Sequence, residues 1–175
     1  MNITLHRTTL LVCMLAGALA LTIALVAAKD VSAAPSSPER AGGATQISGT
    51  AFFDEADSCD SESMGADYAL TMHGELEGCL YTFVEEETAQ RSPSGTYRET
   101  GTELFVGEYN GEVGTFETTY RFEAKYDLSG EIFGRCQHPI VEGSGTGVFE
   151  GVSGQLFFKD EVETGTFFYR GHLRY

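Results

Sequence analysis

The chain has 175 residues, of which 26 are acidic and 11 are basic, so its formal net charge at pH 7 is −15. A surface with this excess of negative charge repels phosphate backbones and anionic lipid headgroups, which argues against nucleic-acid binding and peripheral membrane binding. The length corresponds to one ordinary domain.

The first 33 residues have the pattern of a secretory signal peptide. His6 and Arg7 precede a nearly uninterrupted apolar run over 9–28, and small residues follow at positions that a signal peptidase reads. The tripeptide 31–33 fits the small-x-small rule best, and 26–28 is the second choice. We therefore expect a secreted or extracytoplasmic protein without membrane attachment after cleavage. The alternative is an uncleaved anchor, since about 20 apolar residues can span a bilayer.

The rest of the chain divides into a leader and one folded domain. Residues 34–46 contain proline and glycine without apolar periodicity, which predicts a flexible leader. Residues 47–175 alternate apolar and polar side chains, with a glycine every few residues. This pattern is typical of antiparallel strands joined by tight turns, and it predicts almost no helix.

The alternation predicts a series of short strands in the folded domain. Their ranges are 48–53, 68–76, 79–85, 95–107, 115–126, 131–137, 147–150, 155–159 and 166–175. About eight strands with short turns favour an all-β fold, a single closed antiparallel barrel of the up-and-down type, because closure removes exposed strand edges. At this strand number the interior is either filled by side chains or holds one small ligand.

The dipeptide Asn110-Gly111 sets the register of one hairpin. Such a two-residue turn needs positive φ at both positions, which asparagine and glycine tolerate. With Tyr109 opposite Glu112, the pairs continue inward until Glu103 faces Thr118 on the covered side of the sheet. A buried carboxylate is costly unless it is hydrogen-bonded, so Glu103 is a candidate catalytic residue. The alternative is a structural carboxylate bonded to Tyr and Arg side chains or placed at a wet barrel mouth.

Aromatic residues on the strands are predicted to line the interior. The inward set is Tyr68, Tyr81, Phe83, Phe105, Phe116, Tyr120, Phe122, Phe167 and Tyr169. Candidate ligand-lining residues within it are Tyr81, Phe105, Phe116, Tyr120 and Tyr169. Ordinary core packing is the alternative explanation for most of them.

The segment 134–139 concentrates a guanidinium, a thiol and an imidazole at the predicted end of a strand. Imidazole is the usual proton carrier near neutral pH, so His138 could act with Glu103 as an acid–base pair if both reach the cavity. Arg135 would lie at the cavity rim. The alternative is a His-Pro loop that turns the chain, with Arg135 paired to one of the many acids.

Three cysteines remain after the predicted cleavage site, and export favours their oxidation. We predict a disulfide between Cys79 and Cys136, because each follows a glycine within or beside a strand whereas Cys59 lies in the acidic loop 54–62. The alternative pairing is Cys59 with Cys79, and the sequence leaves the connectivity open. The acidic loop lacks EF-hand spacing and the histidines lack zinc-site spacing, so no metal site is expected.

The glycine and aromatic frame of 100–107, 114–116 and 143–154 resembles that of the allene oxide cyclase barrel-like superfamily. The resemblance is strongest to uncharacterised bacterial secreted members and to DUF3224 proteins. It implies a cavity without a cofactor that holds a small apolar molecule and guides its cyclisation or isomerisation, and it implies a homodimer or homotrimer. No segment of this chain allows the catalytic residues of the plant allene oxide cyclases to be carried over.

Two hypotheses for the function follow. In the first, the exported barrel binds a small apolar molecule and steers its cyclisation or isomerisation. In the second, aromatic side chains fill the barrel, and the protein is a structural or interaction module of the cell envelope or extracellular space. A cavity of several hundred cubic ångströms would favour the first hypothesis.

Overall fold

The computed structural model describes residues 43–53, 58–89 and 95–175. In these ranges it contains the strands β1 (Thr45–Phe53), β2 (Tyr68–Gly74), β3 (Leu76–Ala89), β4 (Gly95–Tyr109), β5 (Glu112–Asp127), β6 (Gly130–Pro139), β7 (Thr146–Gly147), β8 (Ser153–Glu161) and β9 (Thr166–Arg174), and one helix, α1 (Ser61–Met64). The predicted signal peptide 1–33 and most of the predicted leader 34–46 lie outside the described residues. None of the helices in the described ranges has the length and apolar character needed to cross a membrane.

Eight of the strands close into a barrel. Their order around the ring is β1, β2, β3, β4, β5, β6, β8 and β9, and β9 pairs again with β1. All of these pairings are antiparallel. The predicted fold class, an all-β closed antiparallel barrel of about eight strands, is therefore confirmed.

The longest ladder joins β4 to β5 through the predicted two-residue turn. Asn110 and Gly111 have φ of 55° and 79°, and Tyr109 faces Glu112. The register then continues so that Glu103 faces Thr118, as predicted. Both of these side chains are buried.

The predicted strand 147–150 is wrong, because the extended conformation covers only Thr146 and Gly147, which pair with β5. Val148 and Phe149 lie in the turn that follows, and both are buried. The ring of Phe149 contacts Phe105 and Phe116 with centroid distances of 5.6 and 4.9 Å. These apolar residues cap the barrel instead of alternating along a strand.

One half of the barrel is thus filled by side chains. Phe105 and Phe116 stack at 5.0 Å beneath Phe149 and are fully buried. Tyr169 belongs to the same core, where its hydroxyl oxygen accepts the backbone N–H of Leu76 at 2.9 Å. We call this half the closed end.

The predicted disulfide between Cys79 and Cys136 is wrong, because Cys59 is bonded to Cys79 and Cys136 is a buried free thiol. Leu80 points into the barrel core, so Cys79 points to the outer face of β3. Cys136 belongs to the interior core. The barrel wall therefore separates the two thiols that the sequence analysis paired.

The same alternation corrects the prediction that Tyr81 and Phe83 point inward. Tyr81 packs with Cys59 and Ala69 in a small cluster, and Phe83 packs against that cluster. Thr82, between them, faces Glu103 across the ladder and is fully buried. Tyr81 is therefore buried outside the barrel.

We predict that Phe149→Ala destabilises the fold by about 3–5 kcal/mol, since it empties the closed end beneath three aromatic rings. The measurement is urea denaturation followed by tyrosine fluorescence, since the chain contains no tryptophan. Phe168→Ala is the matched control, because this ring is 49% exposed and its loss should cost less than about 1 kcal/mol. Equal costs for the two variants would contradict the capping role of Phe149.

Candidate functional site

The half of the barrel opposite the closed end is hollow, with a cavity of about 490 Å³. We call this half the open end. Its wall combines eight aromatic residues, four carboxylates and three others: Phe53, Tyr68, Tyr97, Tyr120, Phe122, Tyr126, Phe158 and Phe167; Glu99, Glu103, Glu131 and Asp160; and Leu70, Cys136 and His138. The partly exposed rings of Phe53 and Tyr126 lie at the rim.

The carboxylates on β4 reach the cavity because successive side chains of a strand alternate between the two faces. Glu99 and Glu103 lie on the inner face of β4, and Gly101 lies between them. A Cβ at Gly101 would come within 2.8 Å of the Tyr120 ring, which packs across this position. The glycine therefore makes room for a tyrosine that lines the cavity.

Glu103 and His138 are in direct contact in the cavity wall. His138 Nδ1 lies 2.5 Å from Glu103 Oε2, and the two side chains are 4% and 3% exposed. Thr118 donates its hydroxyl hydrogen to the same carboxylate at 2.7 Å, and Thr82 donates at 3.4 Å. These donors satisfy Glu103 as a buried carboxylate, so the shared hydrogen is assigned to His138 Nδ1.

That contact leaves the second nitrogen of the imidazole available. His138 Nε2 is buried and has no hydrogen-bond partner among the described residues. The ring packs against Phe158 at 4.4 Å and is stacked with Tyr120 at 6.2 Å. In the tautomer with Nδ1–H directed at Glu103, the lone pair lies on Nε2, where it can accept a proton.

A second carboxylate, Glu99, forms the centre of a tyrosine cluster that the sequence analysis missed. Tyr120 and Tyr68 donate to its Oε1 at 2.7 and 3.0 Å, and the Tyr97 hydroxyl lies 2.5 Å from its Oε2. Glu99, Gly101 and Glu103 are alternate residues of β4. The alternation that places Glu103 inward therefore places Glu99 inward as well. That signal was available in the sequence.

The cluster holds its tyrosines in the protonated state. Burial and the hydrogen bond to Glu99 raise the pKa of Tyr120 above its ordinary range. Burial and the negative charge of Glu99 raise the pKa of Tyr68 in the same way. These phenols are therefore hydrogen-bond donors in the cavity wall.

The third acidic feature is a pair of carboxyl groups, Glu131 and Asp160, which we call the rim pair. The pKa of Asp160 is raised to about 7, mainly by burial and further by the hydrogen bond and the repulsion between the two groups. Tyr126 donates its hydroxyl hydrogen to Glu131 at 3.3 Å. The rim pair therefore binds one proton below about pH 7 and releases it above that pH.

The rim pair was not predicted from the sequence, in part because β6 contains an irregularity. Lys125 pairs with Phe133 and Tyr126 pairs with Glu131, so Ile132 is an extra, bulged residue and is 56% exposed. The bulge reverses the alternation and turns Glu131 inward. Asp160 was missed because the predicted strand stopped at Lys159, one residue too early.

Several predicted ligand-lining residues lie elsewhere. Phe105, Phe116 and Tyr169 belong to the closed end, and Tyr120 lines the cavity. Arg135 is an outward residue of β6 whose Nη2 lies 3.5 Å from Glu123 Oε1, so the prediction that it sits at the cavity rim is wrong. His138 lies within β6 and not in a loop.

Two further observations bear on the chemistry of the wall. Burial raises the pKa of the Cys136 thiol, so this cysteine is protonated and a poor nucleophile. In the described part of the chain, no three histidine, cysteine or carboxylate side chains converge as metal ligands would.

The fold and the cavity define a class of protein: a closed antiparallel barrel with one filled end and one hollow, acidic and aromatic end. A family model described as "Protein of unknown function (DUF3224)" matches residues 44–170, and the chain belongs to this family. No curated protein matches the chain.

The raised pKa of Asp160 predicts a specific pH dependence of stability. An unfolded aspartate titrates near about 3.9, so between about pH 4 and 7 the folded state binds the proton more tightly than the unfolded state. The contribution of this group is complete below about pH 4 and is lost as the pH rises through about 7. Thermal denaturation across this window should show a smaller loss of Tm in Asp160→Asn than in the unaltered protein.

The matched control is Glu112→Gln, which removes the same charge from an exposed position at the turn between β4 and β5. We expect it to retain the full pH dependence. An unchanged pH dependence in Asp160→Asn would contradict the protonated state of the rim pair.

Proposed function

We propose that this protein is an exported barrel that binds a small, largely apolar molecule in its cavity and catalyses a proton transfer that isomerises or cyclises it without a cofactor. The observation that carries the proposal is the buried His138, whose Nδ1 contacts Glu103 while its Nε2 has no partner among the described residues. A buried polar atom without a partner costs free energy, which a bound ligand or a reaction can offset.

The cavity supports the binding part of the proposal. Its volume of about 490 Å³ lies in the range of roughly 300–1,000 Å³ that is usual for small-molecule sites. Aromatic rings form most of its wall, and a few polar groups converge within it. A structural module with a filled barrel is less consistent with this open end.

The contact between His138 and Glu103 supports the catalytic part of the proposal. In the proposed reaction, a C–H bond of the bound molecule breaks, its proton passes to His138 Nε2, and the electron pair is delocalised within the substrate. The carboxylate of Glu103 stabilises the imidazolium that forms, as the carboxylate does in a catalytic triad. The proton then returns to a different atom of the substrate, so no redox partner is required. His138 is the proposed catalytic residue, and Glu103 is the proposed positioning residue.

Export and assembly are also proposals. The Cys59–Cys79 disulfide is consistent with an oxidising, extracytoplasmic compartment, and the N-terminal apolar run fits a secretion signal. The resemblance to the allene oxide cyclase superfamily supports the same class of reaction and a dimer or trimer. Fold resemblance alone would not carry the activity.

The binding proposal predicts that Cys136→Phe abolishes fluorescence enhancement of the neutral dye N-phenylnaphthylamine, because the new ring occupies the cavity. Gln137→Phe is the matched control, since the neighbouring side chain points outward and is exposed. Native mass spectrometry of the protein purified from its host should also show a retained small molecule. A protein that binds neither the dye nor a host molecule would overturn the proposal.

The catalytic proposal predicts deuterium incorporation when the molecule recovered from the host is incubated with the protein in D₂O. His138→Asn keeps an amide able to reach Glu103 but removes the acceptor at Nε2, so incorporation should fall at least about 100-fold. His73→Asn is the control, because His73 lies on the exterior. If the unaltered protein binds the molecule but no deuterium is incorporated, the catalytic proposal is wrong and the protein is a carrier.

A further inference from the structure

The hydrogen-bonding capacity of the cavity wall is unbalanced. The hydroxyl groups of its four tyrosines are all bonded to carboxylates, three to Glu99 and the fourth, from Tyr126, to Glu131. By contrast, His138 Nε2 is buried and has no hydrogen-bond donor among the described residues, and Glu131 Oε1 and Asp160 Oδ1 also have none when no proton lies between the two carboxyl groups. A ligand that complements this wall must therefore supply donors.

The charge of the wall has the same sign throughout. Among the residues that the structure describes, four carboxyl groups line the cavity, and neither a lysine nor an arginine does. The described cations nearest in sequence to the rim pair are Arg135 on β6 and Lys159 on β8. Each lies between two inward residues of its strand, so its side chain points outward. A carboxylate or phosphate ligand would be repelled and would find no cationic partner.

The rim pair occupies the space that a side chain at position 134 would otherwise fill. A Cβ at Gly134 would collide with carboxyl oxygens of both Asp160 and Glu131, so both groups converge over this glycine. Without a proton between them, neither carboxylate can donate to the other. The titratable groups around the pair are Tyr126 of β5, Cys136 of β6 and, further away, Glu99 of β4, while β9 contributes the uncharged Phe167.

Aromatic rings surround the acidic groups. Tyr126 is bonded to Glu131, and Phe167 is paired across the ladder with Asp160. Rings of this kind attract an organic cation through their faces, and they do so more strongly when the site is desolvated. The same rings offer apolar surface to the body of such a molecule.

We infer that the ligand of this cavity is an organic cation, a small apolar or aromatic molecule with a protonated amine whose ammonium group binds the rim pair. The inference rests on the proposed function and names its ligand class. The ammonium donates to Asp160 and Glu131, and the apolar body extends toward Phe158. His138 Nε2, deeper in the cavity, remains available as acceptor or base.

The test compares three probes with the same phenylbutyl body and different head groups: phenylbutylammonium, phenylbutanol and phenylbutanoate. Each is titrated against the protein with bound N-phenylnaphthylamine, and displacement of the neutral dye is followed. The ammonium should bind about tenfold more tightly than the alcohol, and the carboxylate should bind more weakly than either. Equal affinities, or a preference for the carboxylate, would overturn the cation assignment while leaving the cavity itself established.

Variants assign the preference to the rim pair. Asp160→Asn and Glu131→Gln should each reduce the ammonium affinity about tenfold and leave the alcohol affinity unchanged. Glu112→Gln removes one charge at the closed end and should change neither. If the ammonium preference survives in both rim variants, the assignment of the head group to this pair is wrong.

The outcomes also separate this inference from the proposed function. Failure of the dye itself to bind would overturn both the cavity proposal and the cation assignment. Because the ammonium replaces the proton that the pair holds, its affinity should decrease below about pH 7, while that of the alcohol should not. An ammonium affinity independent of pH between about 5 and 8 would contradict binding at Asp160.

Discussion

The hydrogen-bonded ladder between β4 and β5 is the constraint on which the rest of this structure depends. It is the longest ladder of the ring, and the turn at Asn110-Gly111 fixes its register. A shift by one residue would move every side chain of β4 to the opposite face. Glu103 would then lie in solvent, and His138 would lose the partner that orients it. The turn at one end of the barrel thus determines the chemistry available at the other end.

The two ends of the interior follow opposite physical rules. At the closed end, aromatic rings pack against one another around Phe149 and bury apolar surface, the usual source of stability. At the open end, acidic side chains are removed from bulk water and are hydrogen-bonded by hydroxyl donors. Replacing such buried polar groups by apolar ones is often neutral or stabilising. Their presence in the hollow half is what the proposed function requires, and the apolar closed end supplies stability that offsets their cost.

The sequence predicted the barrel and the inward position of Glu103 because both depend on local rules, the turn and the alternation. It failed where neighbours from distant parts of the chain decide. β3 has apolar side chains on both faces, since the segment with α1 covers its outer face, and so its pattern gave no indication of which face was inside. The choice of Tyr81 and the disulfide pairing were wrong for this one reason. The bulge at Ile132 had no sequence signal, and Glu131 was missed with it.

Phe149 closes one end of the barrel and thereby limits the routes by which a bound molecule could exchange with solvent. In the described part of the barrel one end is filled, so a molecule that entered the cavity between the aromatic rings of the rim would leave by the same route. Exchange would then be controlled by the motion of rings such as Phe53 and Tyr126, which are exposed on one side. Slow release would suit a protein that protects a reactive molecule from its surroundings at least as well as one that turns over rapidly.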